Sequence, residues 1–402
     1  MSAQAPAPVP APPAAGPLSN LRVVELGFAI AGPLAGTLMA DLGADVVKVE
    51  QPGAGDGMRN MGPKVQGVGV WWLVAGRNKR CITVDIKTAA GLAILHGLLR
   101  DADILVENFR PGVLERLGLG WDTLHALNPR LIMVRISGFG QTGPRAARPG
   151  FGKLAEAYSG ATNLTGDPQR EPVHPSYSLG DVVCALMGAF GAVSAVNARS
   201  VSGRGQQVDL ALYEPLFRLI DWQLPLHTLA GTVVRRNGPR FPFGEAFLTE
   251  LCHARDGDAI VFSAATPSHL ERLAALLRSE GMDGDFASTA VLGDALRAWT
   301  AAHDRAHVLG RLGEHDLVFG PVYTPADLLA DEHIAARGNV VRLAHPALGE
   351  VPMPSAVPAF SDTPGGVRWL GAGLGEHTEE VLRERLGYDA ARIAALRRDR
   401  VI

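Results

Sequence analysis

Asp181 stands between Leu179-Gly180 and the apolar run VVCALMGAFGAV (182–193), so its carboxylate falls where a helix begins. Two kinds of chemistry fit that position. One is an ordinary helix cap, worth about 1 kcal/mol. The other is nucleophilic: first-turn amides and the helix dipole hold a partly desolvated carboxylate ionised, and Gly180 lets a substrate approach the backbone closely. An ionised, poorly hydrated carboxylate can attack an acyl carbonyl. Position alone leaves both readings open.

Other constellations are weaker. GFGQTG (138–143) matches the dinucleotide pattern GxGxxG after a strand-like run. A nicotinamide site is nevertheless rejected, because Pro144 and Pro149-Gly150 interrupt the helix it needs and no acidic strand end follows about 20 residues on. Arg77, Lys79, Arg80, Arg110, Arg116, Arg130, Arg135, Arg145 and Arg148 concentrate positive charge in the N-terminal half, several just after predicted strands. They read either as phosphate ligands at the carboxyl edge of a sheet or as a solvated arginine-rich surface. The 12 histidines are scattered, none pairing with Cys, Asp or Glu at metal-ligand spacing, and GxSxG is absent, so metal catalysis and a Ser/His/Asp hydrolase lack support.

The elements that must position these groups follow from the pattern. The chain has 402 residues, 47% hydrophobic and 20% charged, a globular balance with room for two domains. Its net charge of -3 provides no field for a nucleic-acid partner. Cys81, Cys184 and Cys252 are odd in number and far apart, which suits a reducing, cytoplasmic setting and no disulfide framework. Residues 1–17 alternate Ala and Pro and read as a disordered tail, not a signal peptide. The apolar run 182–198, interrupted by Gly188 and Gly191, is read as too short for a membrane span.

From Leu21 onward, Val/Ile/Leu strands (LRVVEL, DVVKVE, ILVEN, LIMVRIS, VDLAL) alternate with helical runs at 33–42, 89–100, 121–127 and about 181–199. That alternation predicts an α/β fold with a parallel sheet covered on both faces. Between about 225 and 320 the pattern changes to a hairpin at Asp256-Gly257 and a helix opened by Thr266-Pro267-Ser268, read as a smaller inserted α+β domain. The large domain is then 18–224 with 321–402, ending in helices at 376–386 and about 389–400.

Together these segments resemble the class III coenzyme A transferases, relatives of formyl-CoA transferase and carnitine CoA-transferase. The carriers are LRVVELGFAIAGPLAGTLMADLGADVVKVEQPGAGD (21–56), RNKRCITVDIK (77–87), VENFRPGVLERLGLGW (106–121), NPRLIMVRISGFGQTGP (128–144), RPGF (148–151), SGRGQQVDLAL (202–212) and LGEHTEEVL (374–382). The resemblance implies a Rossmann-like large domain without an NAD site, a small domain, and two subunits interlocked as a homodimer. It assigns the catalytic aspartate to Asp181, forming first a mixed anhydride and then an aspartyl-CoA thioester. It assigns CoA contacts to Phe28, Ala29, Ile30, Asn108, Phe109, Val113, Arg116 and Leu117, with CoA a substrate thioester and no permanently bound cofactor or metal.

Three departures shape the expectation. Gln51 and Ser137 stand where some members carry basic residues, Ser137 keeping a place in the CoA site. The glycine-rich lid of formyl-CoA transferase is not recognisable between 225 and 320, which argues against oxalate. Phe151-Gly152 replaces the His-Asp pair of the related racemases, so proton abstraction lacks its base. The resulting expectation is transfer of CoA from a short acyl-CoA, succinyl-CoA favoured, to a small dicarboxylic or hydroxy acid. The alternatives are a CoA-ester racemase, intramolecular CoA transfer within one dicarboxylic acid, and a non-catalytic CoA-binding protein.

Overall fold

The computed structural model describes residues 16–240 and 247–402; all but the last two residues of the expected Ala/Pro tail lie outside them. Six strands, β1 (Arg22–Glu25), β2 (Asp45–Glu50), β3 (Lys79–Thr83), β4 (Ile104–Glu107), β5 (Ile132–Ser137) and β6 (Gln207–Ala211), pair in the order β3-β2-β1-β4-β5-β6. Every pairing is parallel. The order reverses between β1 and β4, and a crevice opens beyond the carboxyl ends of strands at such a switch point.

The helices that cover this sheet are α1 (Ala31–Asp41), α2 (Ala89–Leu99), α3 (Trp121–Leu127), α4 (Gly152–Tyr158), α5 (Leu179–Ser202), α6 (Thr378–Leu386) and α7 (Ala390–Arg398). Alternate strand residues serve opposite faces. Val23, Ile104, Val106, Ile132 and Val134 pack with α1 and α5. Val24, Val47, Leu105 and Met133 pack with α2, α3, α6 and α7. Each such buried side chain contributes about 1.5–3 kcal/mol, so the two apolar faces force the strands into the middle layer.

The helix that carries Asp181 is longer than the sequence pattern suggests. It spans 24 residues, starting at Leu179 and ending where Gly203 turns left-handed, and by length and composition it could cross a membrane. The two glycines that looked like interruptions are contact points. A Cβ at Gly188 would stand 3.1 Å from Ile136, and one at Gly191 2.9 Å from Val208. Together with Cys184, Ala192 and Ala195 they let α5 lie close on the sheet and α1.

The described chain divides into two compact units, the larger built from 16–159, 176–219 and 336–402 and the smaller from 160–175 and 220–335. In the smaller unit Leu248–His253, Ala259–Ala264 and Val318–Pro321 form an antiparallel sheet under helices around Phe262, Leu273, Leu296 and Trp299. The boundaries expected at 225 and 320 therefore shift. A cut after residue 320 runs through the last strand of this sheet, and Arg236 ties segment 160–175 in by donating to the carbonyls of Asp167 and Arg170 at 2.9 Å.

One grouping invisible in the histidine spacing also lies here: Glu280, His303 and His307 hold ligand-type atoms within 4.8 Å of one another. Glu280 is already engaged by Arg311 Nε at 2.7 Å and Trp299 Nε1 at 3.2 Å, so a cation would compete with an arginine.

Candidate active site

Two cavities open beside the β1/β4 switch point, both within the larger unit. The first, about 330 Å³, is lined by the turns after β1, β2, β3 and β4, including Phe28, Gln51, Lys87, Phe109, Val113 and Leu117. The second, about 280 Å³, is lined by Phe28, Ala29, Asn108, Phe109, Arg110, Ser137, Gly138, Gly150, Phe151 and Asp181. Phe28 and Phe109 line both. Of the ten expected contact and catalytic positions, eight line one or other cavity: Asp181, Phe28, Ala29, Asn108, Phe109, Val113, Leu117 and Ser137. Ile30 instead packs against the cluster of Met58 and Trp72, and Arg116 is an exposed residue of the turn Val113–Arg116 that lines neither cavity.

The turn after β1 is held in an unusual shape. Ala29 has φ +62°, in the left-handed region that costs a residue with a Cβ roughly 1–2 kcal/mol. Hydrogen bonds keep it there. Asn108 Oδ1 accepts the Phe28 N–H at 2.7 Å, its Nδ2 donates to the Phe28 carbonyl at 2.8 Å, and Asp56 Oδ1 accepts the Ala29 N–H at 3.0 Å.

Beneath the turn lies a buried ionic network. Lys48 Nζ reaches Glu25 at 2.8 Å, Asp56 at 2.7 Å and the Gly27 carbonyl at 3.0 Å, while Lys79 Nζ reaches Glu25 at 2.7 Å. Burial works against the Lys48 charge, but Glu25 and Asp56 outweigh it and raise the ammonium above its ordinary pKa. For Lys79 burial wins and lowers it. The basic cluster is thus largely structural: Arg77 pairs with Asp41, Arg80 with Asp45, and Arg135 with Glu107. Arg110 is the member of that set that lines the cavity holding Asp181.

Asp181 occupies the first turn of α5, but it caps nothing. The cap position is Ser178, without a side-chain bond. Among the described residues no group hydrogen-bonds the Asp181 carboxylate. The helix N-terminus is served from another element: the Gly180 N–H donates to Glu156 Oε1 at 3.2 Å. Lys153, one turn earlier on α4, donates to the Tyr177 carbonyl at 2.7 Å and to both Glu156 oxygens at 3.1 Å. The first-turn amides expected to hold the carboxylate ionised do not hydrogen-bond it. Burial first, and then the charge of Glu156, push the Asp181 carboxyl up to about 6, with Lys153 pulling the other way.

Glycines shape the wall around it. A Cβ at Gly152 would overlap Asp181 Oδ2, and one at Gly180 would stand 2.6 Å from the Gly152 carbonyl oxygen. Gly138 and Gly150 cross backbone to backbone, where a Cβ on either would stand 2.7 Å from the other's Cα. The GFGQTG segment thus serves close packing beside the carboxylate. At neutral pH the result is an ionised carboxylate with no hydrogen-bond donor among the described residues, at the wall of a mostly apolar cleft. Such a group can attack an acyl carbon.

A model of CoA-transferase family III matches residues 18–378. The chain belongs to that family. This transferase is 40% identical over 396 residues to the succinyl-CoA–D-citramalate CoA-transferase of Chloroflexus aurantiacus, covering 96% of this chain and 98% of that one. It is also 40% identical to the beta subunit of the succinyl-CoA–L-malate CoA-transferase of the same organism, covering 96% and 98%. The formyl-CoA:oxalate CoA-transferase of Rhodopseudomonas palustris is 30% identical, covering 94% and 96%. Among solved structures, a CaiB/BaiF family protein from Brucella suis superposes with a TM-score of 0.82 at 31% identity, covering 92% of this chain and all of that one.

Sequence reasoning about the transferase missed Lys153 and Glu156 around the nucleophile, and read Gly152 only as part of the pair that replaces the racemases' His-Asp. The one available signal was Lys153 and Glu156 at i, i+3 on a helix directly after RPGF, but nothing in that spacing points toward residue 180.

Proposed function

We propose that the transferase moves CoA from succinyl-CoA to a small dicarboxylic or hydroxy acid through an aspartyl-CoA thioester on Asp181. The observation that carries this is the placement of the Asp181 carboxylate, without a hydrogen-bond donor among the described residues, on the wall of a cleft at the sheet's switch point. The chemistry balances as follows. An Asp181 oxygen attacks the thioester carbonyl, the C–S bond breaks, and CoA leaves as thiolate with a mixed anhydride behind it. The thiolate attacks the aspartyl carbonyl, the anhydride C–O bond breaks, and succinate leaves. The acceptor carboxylate then reverses both steps and departs as the new acyl-CoA. An anhydride and a thioester lie close in reactivity, so the acyl energy is retained.

Phe28, Ala29, Asn108, Phe109, Val113, Leu117 and Ser137 would line the CoA path, Ile30 would fix the turn from beneath, and Arg116 would meet phosphate at its mouth. The 40% identity to enzymes named for succinyl-CoA with citramalate or malate supports the donor and the acceptor class. A homodimer is part of the proposal, supported by the exposed apolar residues Leu186, Phe190 and Val193 along α5. The three free, buried cysteines fit a cytoplasmic setting.

The test is exchange: protein, succinyl-CoA and a panel of acids, with acyl-CoA products separated by chromatography. Dicarboxylic and hydroxy acids should yield their CoA thioesters with one succinate released per thioester formed. No product with any acid, or deuterium entering the α-carbon without an acceptor, contradicts the reading.

A further inference from the structure

We propose that Glu156 is a positioning residue for the nucleophile: it takes the Gly180 N–H at the start of α5 and sets a second negative charge beside Asp181, leaving that carboxylate free to attack. This rests on Asp181 being the attacking group. The geometry is a clasp between two helices. From α4, Lys153 holds the Tyr177 carbonyl at 2.7 Å and Glu156 holds the Gly180 amide at 3.2 Å, so the residues leading into Asp181 are fixed from outside their own helix. Glu156 is 1% exposed and its neighbour Gly152 leaves room for the Asp181 oxygen alone.

Glu156 accepts from the Gly180 amide and from Lys153, and a neutral side chain would also serve the amide as acceptor. What the charge adds is an opposing field at Asp181. At a helix start the dipole favours an acidic, weakly basic carboxylate; Glu156 offsets that field and takes the Gly180 N–H.

The other charged or titratable groups around Asp181 are Lys153 on α4, Arg110 across the cavity on the loop after β4, the Cys184 thiol on α5, and Glu214, which accepts the Ala211 N–H and also faces Cys184. Burial keeps Cys184 protonated. Of these groups, Glu156 is the one whose charge raises Asp181.

The test is the pH dependence of kcat/KM for succinyl-CoA in the full-length enzyme, whose acid limb reports the free nucleophile. Glu156→Gln keeps an oxygen for the Gly180 amide and removes the charge. The acid limb should move down by about one pH unit and the plateau should fall about three- to tenfold, because a less basic carboxylate attacks more slowly. Lys153→Met, at a half-exposed side chain, should move the limb up. A purely structural Glu156 would lower the plateau or the melting temperature and leave the limb in place, which overturns the proposal. If Glu156→Gln does not fold, an upward limb in Lys153→Met supports the proposal and an unmoved one overturns it. Wild-type enzyme that forms no CoA adduct on the Asp181 peptide overturns the Asp181 reading and this proposal with it, whereas an adduct with unmoved limbs overturns this proposal alone.

Discussion

The Oδ2 atom of Asp181 rests against the α-carbon of Gly152, in the space a Cβ would fill. The residue at 152 therefore determines where the carboxylate points. Gly152→Ala should push it off line by about 1 Å, a displacement that costs on the order of 100-fold in rate. The expected result is a fall of that size in kcat with an unchanged circular dichroism spectrum; near-normal turnover would show that the carboxylate tolerates displacement.

Holding Asp181 ionised costs stability. Its folded pKa is raised to about 6 from an ordinary 3.8, so the protonated form is favoured on folding and the cost appears as pH rises through the folded value. Asp181→Asn should accordingly stabilise the protein by about 1–3 kcal/mol at pH 8, and the gain should fade as pH falls to 4. Melting temperatures of both proteins at the two pH values check this; a gain independent of pH would contradict the burial argument.

Asn108 clamps the turn after β1 through both ends of its amide, on Phe28 N–H and carbonyl. Asn108→Ala removes two hydrogen bonds of about 1 kcal/mol each and leaves the left-handed turn at Ala29 held by Asp56 alone. The apparent KM for acyl-CoA should rise about tenfold, with a smaller effect on kcat. An unchanged KM would take this turn out of the CoA path.

Lys48 lies fully buried between Glu25 and Asp56. Lys48→Met leaves Asp56 without its cation and Glu25 with Lys79 alone, and an unpaired buried charge such as that of Asp56 costs about 3–5 kcal/mol. The denaturation midpoint should fall accordingly; little change would mean that water or protonation compensates.

The sheet and most of its helices were legible because their signals are local. Continuous Val/Ile/Leu strands, the helix at 121–127 and the cap at Thr266 each declare themselves within a few residues. The site was legible only in part. Asp181 was visible as a carboxylate at a helix start, yet its environment depends on Glu156, 24 residues from Gly180 along the chain and unrelated to it by any period. For the same reason Ser178, not Asp181, holds the cap position: the amide that a cap would serve is taken by another helix. The arginines misled because their counter-ions, such as Asp41 for Arg77, lie 36 residues away. The small unit's far boundary was missed because Val318–Pro321 carries a Gly-Pro signal that reads as a break but forms an edge strand.

Trapping the intermediate tests the central claim most directly. Enzyme mixed with succinyl-CoA in the absence of acceptor, then digested and analysed by mass spectrometry, should show the peptide containing Asp181 heavier by CoA less one water. The adduct should vanish on adding an acceptor acid and never form in Asp181→Ala. An adduct on a different residue, or full exchange activity in Asp181→Ala, would contradict the account.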